Sequence, residues 1–144
     1  MNVTFKPLTT QDEWFWFQNR THVLLCEDMQ GIIAYRNDEI IAACVFDTWT
    51  SVGANVHLAI DDPLALRHGL LQEAAAHAFI RGNKQKLFGL VPSNNKKAIK
   101  MNKHVGFEVV TEIPDSIEEG VGMVVMVITR EKAERWLPNR EEAA

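Results

Sequence analysis

The sequence predicts an α/β fold of the α+β type, built on one mixed sheet. Three strand-like segments follow one another between residues 31 and 60 without a helix, as in an antiparallel meander. From residue 61 onward helical and strand-like segments interleave, which favours a mixed sheet. The 144 residues suit one core. We therefore expect one domain over residues 1–137, a frayed tail at 138–144, and the order β-α(α)-β-β-β-α-β-α-β-β plus a C-terminal helix.

The composition is that of an ordinary globular protein and argues against several function classes. Hydrophobic residues make up 47% of the chain and charged residues 24%. The formal net charge of −4 argues against a primary role on nucleic acid, where neutralising phosphates drives affinity. No apolar run reaches the length of a membrane span and no signal peptide is visible, so we expect a cytoplasmic protein with no membrane partner. Cys26 and Cys44 are too few for a disulfide framework or a zinc site, and we expect no metal.

The first part of the chain is predicted as a strand followed by helix. Apolar and polar residues alternate over Val3–Pro7, and residues 9–12 offer a helix start for residues 13–20. Residues 14–17 are four consecutive aromatics, which cannot all face one core. We expect a second helical turn within residues 22–30.

The meander is predicted from apolar, β-branched runs separated by turns. Its arms are residues 31–36, 40–49 and 55–60, with turns at 37–39 and 51–54.

The second half begins with a strong helix signal, because an aspartate cap precedes Pro63. We expect this helix to continue to Gly82. The remaining elements are predicted as a buried strand at 86–91, a short helix, a strand at 107–113, an acidic loop at 114–120, a strand at 121–129 and a closing helix at 130–137.

The short helix after residue 91 is predicted in more detail. Ser93 or Asn94 is expected to cap it, and an apolar stripe of Ala98, Met101 and Val105 follows at helical spacing. Gly106 suits the left-handed conformation that ends a helix.

This stretch also carries a family signature. Asn95, Ala98, Gly106 and Phe107 form Asn-x-x-Ala, seven residues, then Gly-Phe. The pattern resembles the late motif of the GNAT acyltransferases, which move an acyl group from a coenzyme A thioester to an amine. The order of the predicted elements is similar to the GNAT fold along nearly the whole chain.

The resemblance implies a binding site for acetyl-CoA. In GNAT proteins the fourth and fifth strands separate, and the pantetheine arm lies between them. Carried over, the arm would pair with the backbone of Leu58 and Ile60, and Asn95 would help to fix it. The family's glycine-rich pyrophosphate loop maps onto residues 62–67, where glycine is replaced by Ala65 and Arg67.

The altered loop leaves other groups to hold the phosphates. Ala65, Leu66, Arg67 and His68 are the expected phosphate contacts, through backbone N–H groups or the two cationic side chains. Gly69 is an alternative, as part of a shifted loop. An altered loop of this kind resembles the loops of GNAT-like proteins of bacteriophages, some of which serve virion assembly. If the protein is encoded by a phage, we expect it in the cytoplasm of the bacterial host.

The chemistry of acyl transfer needs a base, an oxyanion donor and an acid. His57 is the leading candidate base, and Asp47 is a weaker one; a structural histidine is the competing interpretation. Backbone N–H groups near Leu58 and Ala59 are the expected oxyanion donors. The family's acid is a tyrosine seven residues after the motif asparagine, a position held here by Asn102, which can hydrogen-bond the sulfur or a water.

The sequence therefore predicts an N-acetyltransferase. It would move the acetyl group of acetyl-CoA to an amine of a small molecule or a protein by direct attack in a ternary complex. The alternative is a catalytically inactive GNAT-fold protein that acts in phage virion assembly or binds a partner. The resemblance also allows a homodimer through the last strands.

Overall fold

Seven strands form one sheet with helices on both of its faces. The structure is a computed structural model that describes residues 2–137; the tail expected at 138–144 lies outside the described residues. The elements in order are β1 (Val3–Pro7), α1 (Gln11–Thr21), β2 (Gln30–Arg36), β3 (Glu39–Asp47), β4 (Gly53–Ile60), α2 (Leu64–Arg67), α3 (Leu70–Ala75) with a π-helical continuation (Ala76–Arg81), β5 (Lys86–Pro92), α4 (Lys96–Val105), β6 (Glu108–Glu118), β7 (Val121–Thr129) and α5 (Arg130–Ala133) with a 3₁₀ turn (Glu134–Trp136).

The sheet is mixed, as predicted. Its strand order is β1-β2-β3-β4-β5-β7-β6. Neighbouring strands are antiparallel except β4 and β5, which are parallel. The meander β2-β3-β4 and the alternation of helices and strands after residue 61 are both confirmed.

Two hydrophobic clusters lie on opposite faces of the sheet. The smaller one joins α1, through the fully buried Phe17, to β-strand residues such as Val45 and Ala59. The larger one joins α2, α3, α4 and α5 to the other face, which carries Cys44 and Phe46. Because both faces of β3 are covered, its residues from Ile41 to Asp47 are all buried. Cys44 is a buried core thiol, and burial raises its pKa to about 12.

Helix α1 begins with a reciprocal cap. The hydroxyl of Thr10 accepts from the N–H of Glu13 at 3.2 Å, and Oε1 of Glu13 accepts from the N–H of Thr10 at 3.0 Å. Of its four aromatics, Phe17 is buried and Phe15 is exposed, while Trp14 and Trp16 are half-buried. The expectation that they do not share one core is confirmed.

The second helical turn predicted within residues 22–30 is wrong. His22 adopts a left-handed conformation (φ 57°) that ends α1, and residues 22–29 form no helix. Leu24 is 83% exposed, so the segment has no apolar stripe to bury. Asp28 instead accepts from the N–H of Trp49 at 3.1 Å, which ties the loop to the end of β3.

The single helix predicted from residue 64 to Gly82 is also wrong, because it breaks at Gly69. Gly69 has φ 115°, a conformation that a residue with a Cβ rarely adopts. Only one helical turn, α2, precedes the break, and α3 begins after it. Oδ1 of Asp62 accepts from the N–H of Leu64 at 3.0 Å and so supplies the predicted aspartate cap.

Helix α4 is capped by Asn95, and the prediction of Ser93 or Asn94 is wrong. Oδ1 of Asn95 accepts from the N–H of Ala98 at 3.2 Å. Ser93 is used elsewhere, since its hydroxyl accepts from the N–H of Gly122 in β7. At the other end, Gly106 has φ 126°, and its N–H binds the carbonyl of Asn102, so the predicted glycine stop is confirmed.

The acidic loop predicted at residues 114–120 is mostly strand. Strand β6 extends to Glu118, with a bulge between Ile113 and Glu118 where the register with β7 shifts. A second register shift lies between Val109 and Thr111. Every residue of β6 is exposed; β6 is the last strand of the sheet, and none of its residues belongs to either hydrophobic cluster.

Candidate active site

Strands β4 and β5 pair only at their beginning and then separate. Their parallel ladder joins Gly53–Asn55 to Lys86–Phe88 and ends there. Beyond Asn55, β4 stays paired with β3 as far as Ile60, while β5 stays paired with β7 as far as Pro92. A wedge therefore opens in the middle of the sheet.

Backbone polar groups of β4 face this wedge. The N–H of Asp61 donates to the carbonyl of Ile41 at 2.8 Å, which fixes the phase of the β3–β4 ladder. Hydrogen-bonded and non-hydrogen-bonded pairs alternate along an antiparallel ladder. The groups of Ala59 are therefore committed to β3, whereas those of Leu58 and Ile60 face the side from which β5 has withdrawn. Of the two expected oxyanion donors, only the N–H of Leu58 is free of the ladder.

The wedge holds a cavity of about 410 Å³. Its walls come from the end of α1 and from β4, β5, α3 and α4. The lining residues include Arg20, His57, Leu58, Gly89, Asn95 and Asn102.

His57 lies on the α1 face of β4, opposite the face of Leu58, as its alternation predicts. Its Nε2 is 2.9 Å from Oδ2 of Asp47 and 3.2 Å from Nδ2 of Asn55. The ring meets Phe17 edge-on, with centroids 6.2 Å apart. The His57 side chain is 21% exposed and lines the cavity, so it is open to a ligand there. The structure thus brings together the two residues that the sequence offered as separate candidate bases.

Asn95, the N-cap of α4, and Asn102, within α4, line the cavity from the opposite side. Asn95 has committed Oδ1 to its cap, which leaves the amide N–H groups for a ligand. Nδ2 of Asn102 lies 3.8 Å from the thioether sulfur of Met126. Tyr35 is not in this cavity; its hydroxyl binds Glu13 near the start of α1.

The residues expected to hold the pyrophosphate form the short helix α2 and its end. The N–H groups of Ala65, Leu66, Arg67 and His68 all donate to carbonyls within this turn, at 3.0 to 3.4 Å. These backbone N–H groups are therefore already used, and Arg67 and His68 would contact a phosphate through their side chains. Contact with a phosphate remains a prediction for all four residues.

Arg20 is a cavity residue that the sequence analysis did not single out. Its guanidinium forms a forked ion pair with Asp61, with Nη2 2.7 Å from Oδ2, and lies 3.8 Å above the Trp16 ring. Asp62 is paired with Arg36 at 3.3 Å. Both aspartates that precede α2 are therefore charge-compensated. Arg20 sits in the last turn of α1, but only the folded chain brings it to Asp61, 41 residues away.

Two other kinds of site are absent from the described part of the chain. Within residues 2–137, no group of three or more His, Cys, Asp or Glu residues could hold a metal ion. No helix in this part of the chain is long and apolar enough to cross a membrane.

Several acetyltransferases are among the solved structures that share this architecture. The Vibrio cholerae spermidine/spermine N-acetyltransferase SpeG superposes with a TM-score of 0.76 at 12% identity, covering 92% of this chain and 95% of its own. A Desulfovibrio desulfuricans protein that is assigned to the GNAT family of acetyltransferases gives 0.73 at 12% identity, covering 90% and 99%. The chain has the GNAT fold. The Escherichia coli ribosomal-protein-S18-alanine N-acetyltransferase gives 0.69 at 18% identity, covering 89% and 94%. No protein-family model matches the chain, and no curated protein matches it.

The GNAT fold accounts for the wedge and its position. The resemblance predicts that the fourth and fifth strands separate, and the ladder between β4 and β5 does end at Asn55. The order of elements predicted from the sequence is the order found, with the long helix divided at Gly69.

Proposed function

We propose that the protein is an N-acetyltransferase that moves the acetyl group of acetyl-CoA to an amine. The observation that carries this proposal is the wedge between β4 and β5, which combines a cavity of about 410 Å³ with unpaired backbone groups at Leu58 and Ile60. Neighbours with the same fold are named as acetyltransferases of polyamines and of a protein alanine, which are both amines.

The wedge fits the pantetheine arm of acetyl-CoA. An extended amide-bearing chain can add to β4 as a missing strand would, using the N–H and C=O groups of Leu58 and Ile60. The amide N–H groups of Asn95 lie on the other wall. The pyrophosphate would be held by the side chains of Arg67 and His68 and by the N–H groups at the start of α3, where Gly69 lets the backbone turn.

The charge at this end of the site suits a polyanion. Asp61 and Asp62 would repel phosphates, but Arg20 and Arg36 pair with them. Arg67 then remains as a cationic group beside the first turn of α3, and the imidazole of His68 adds a hydrogen-bonding group next to it. These groups can hold the phosphates in place of the glycine-rich loop that is typical of GNAT proteins.

The reaction needs a neutral amine beside the thioester. An alkyl ammonium has a pKa of about 10, so it must lose a proton before it can attack. His57 accepts this proton, and the nitrogen lone pair then forms a bond to the thioester carbon. The N–H of Leu58 stabilises the negative charge that develops on the carbonyl oxygen.

The intermediate collapses by breaking the carbon–sulfur bond. The attacking nitrogen loses a second proton, the departing thiolate takes up one proton, and one proton is released to solvent overall. The products are the N-acetyl amine and coenzyme A with a free thiol. Asn102 can donate a hydrogen bond to the sulfur, but as an amide it cannot supply the proton.

The proposal is tested by binding and turnover measured together. Acetyl-CoA should raise the melting temperature, because a ligand present at about 100 times its Kd adds roughly 2.7 kcal/mol of stability. A panel of polyamines and peptides with free amines, followed by thiol release and by mass of the product, then identifies the acceptor. A melting temperature that does not move at about 1 mM acetyl-CoA would overturn the proposal and favour the non-catalytic, partner-binding alternative.

A further inference from the structure

Asp47 and His57 form a pair that is built into the β3–β4 ladder. Val45 is opposite His57 and Asp47 is opposite Asn55, so Asp47 is the diagonal neighbour of His57 on the same face. This register brings the carboxylate to 2.9 Å from the ring nitrogen Nε2. The contact therefore depends on the strands and not on a flexible loop.

The carboxylate of Asp47 is held on both oxygens. Oδ2 faces His57, and Oδ1 accepts from the hydroxyl of Thr48 at 3.1 Å. Asp47 is only 7% exposed. Within residues 2–137, His57 is the one basic side chain that contacts this carboxylate. An ionised carboxylate can only accept hydrogen bonds, so the ring nitrogen that faces it is the nitrogen that carries the proton.

The amide of Asn55 is compatible with the same assignment in one of its two orientations. Its Nδ2 is 3.2 Å from Nε2, while its Oδ1 is buried and has no partner in the described part of the chain. If Nε2 carries a proton for Asp47, an N–H₂ group at 3.2 Å would place a donor against a donor. Because the two ends of an amide have the same shape, rotation by 180° brings the oxygen to the ring and removes the conflict.

We infer that Asp47 is a positioning residue that holds the proton of His57 on Nε2 and so leaves Nδ1 as the nitrogen that accepts the amine's proton. The role of Nδ1 as the proton acceptor rests on the proposed function. The position of the ring proton on Nε2 rests on geometry alone. Nδ1 makes no hydrogen bond to any residue from 2 to 137.

The proton transfer from the amine involves the ammonium group and the His57–Asp47 pair. One proton leaves the ammonium and binds Nδ1, directly or through one water, and the ring becomes an imidazolium. The proton on Nε2 stays there, and its hydrogen bond to Asp47 becomes charge-assisted and stronger. The imidazolium then returns its Nδ1 proton to solvent or to the departing thiolate. Asp47 remains ionised throughout.

The position of the proton can be measured without any turnover. Nitrogen-15 NMR of the imidazole rings at a pH of about 8.5, where an ordinary histidine is neutral, distinguishes a protonated from an unprotonated ring nitrogen. His57→Gln identifies the His57 signals. We expect Nε2 protonated and Nδ1 unprotonated in the unmodified protein, and a proton found on Nδ1 would overturn the inference.

Kinetics of Asp47→Asn test the positioning role. We expect kcat to fall about tenfold or more, with KM for acetyl-CoA within about twofold, because the ring loses its orienting acceptor while the wedge is intact. The Nδ1–H form should increase in the NMR spectrum of the same variant. Asp28→Asn is the matched control, since Asp28 anchors the neighbouring loop without touching His57.

Three outcomes are distinguishable. An unchanged kcat in Asp47→Asn would overturn the positioning role. Equal losses in Asp28→Asn and Asp47→Asn would show that the loop and not the pair is responsible. If the unmodified protein acetylates no amine, the proposed function fails, and the nitrogen signals still decide where the proton lies.

Discussion

The hydroxyl of Tyr35 lies 2.5 Å from Oε2 of Glu13, and this contact joins β2 to the start of α1. Glu13 is 1% exposed and also binds Nζ of Lys6 at 2.6 Å and the N–H groups of Thr9 and Thr10 at 3.0 Å. Burial alone would raise the pKa of this carboxyl. The hydrogen bonds from Lys6, Tyr35 and the two backbone groups outweigh burial and lower it from 4.5 to about 2.

Protein stability is therefore expected to depend on Glu13 in acid. A carboxyl whose pKa is lower in the folded state stabilises the fold above its unfolded pKa of about 4.5, and this contribution is lost as the pH falls through about 2. The shift corresponds to on the order of 3 kcal/mol. We expect Glu13→Gln to lower the free energy of unfolding at pH 7 by a similar order and to flatten its decline between about pH 5 and pH 2, measured by urea denaturation.

Asp12→Asn is the control for Glu13→Gln. Asp12 lies in the same first turn of α1 but is exposed. We expect a change of only a few tenths of a kcal/mol, which is the usual size of a charge at a helix N-terminus. An equal effect of the two variants would show that helix charge, and not the buried hydrogen bonds, carries the stability.

Substitutions at Gly89 and Gly53 test the two ends of the wedge. Gly89 lies where β4 and β5 have separated, and Gly53 lies where the two strands still pair. A Cβ on Gly89 would meet only Cε1 of Phe107, at 3.8 Å, whereas a Cβ on Gly53 would lie 2.7 Å from Cζ of Phe88. We expect Gly89→Ala to fold with nearly unchanged stability and Gly89→Val to weaken acetyl-CoA binding, since the added atoms enter the wedge. Gly53→Ala should destabilise by about 1–3 kcal/mol, because it overpacks the junction of the two strands.

The readout for these variants is the melting temperature with and without acetyl-CoA. A full ligand-induced shift in Gly89→Val would argue against the wedge as the binding site. An undiminished melting temperature in Gly53→Ala would argue against a tight junction there.

Asn95 caps α4 and is also proposed to contact acetyl-CoA. Two substitutions distinguish these two roles. Asn95→Ala removes both and should cost about 0.5–2 kcal/mol of stability, as loss of an N-cap does. Asn95→Asp keeps an oxygen for the N–H of Ala98 but removes the amide donors. We expect Asn95→Asp to retain stability while KM for acetyl-CoA rises; a normal KM in this variant would restrict Asn95 to its structural role.

The Arg20–Asp61 pair should affect the polyanionic ligand more than the fold. The hydrogen bonds from Arg20 lower the pKa of the Asp61 carboxyl, so it is charged at neutral pH. Because both side chains are partly exposed, Arg20→Gln should cost less than about 1 kcal/mol of stability. The uncompensated Asp61 should nevertheless raise KM for acetyl-CoA at low salt.

The double variant Arg20→Gln, Asp61→Asn is the decisive comparison. It removes both charges and should restore much of the affinity that Arg20→Gln loses. The difference between the variants should shrink at about 0.5 M salt, where charges are screened over a few ångströms. If the double variant binds as poorly as the single one, Arg20 acts through a contact of its own.

The sequence located the elements that depend on local patterns. Thr10 and Glu13 stand at capping-box spacing at the start of α1, which the sequence predicts from residues 9–12. Gly106 follows an apolar stripe, and from this the sequence predicts the end of α4. The break at Gly69 was not predicted, because a glycine inside a helical pattern is often tolerated, and only the packing of α2 and α3 against the sheet shows that the chain turns there. The extended β6 was missed because residues 114–117 form a bulge, and their turn-like composition does not reveal that pairing with β7 resumes at Glu118.

The same distinction between local sequence and tertiary structure applies to the candidate site. Local sequence determined that His57 alternates with Leu58 on β4, because side chains of a strand point to opposite faces with a period of two. Only the tertiary structure decided that Asp47 meets His57 and that Arg20 meets Asp61. It also decided that the separation of β4 and β5, which the family resemblance predicts, begins after Asn55. These contacts follow from register and from strand pairing between distant segments, and hydrophobic periodicity carries no information about either.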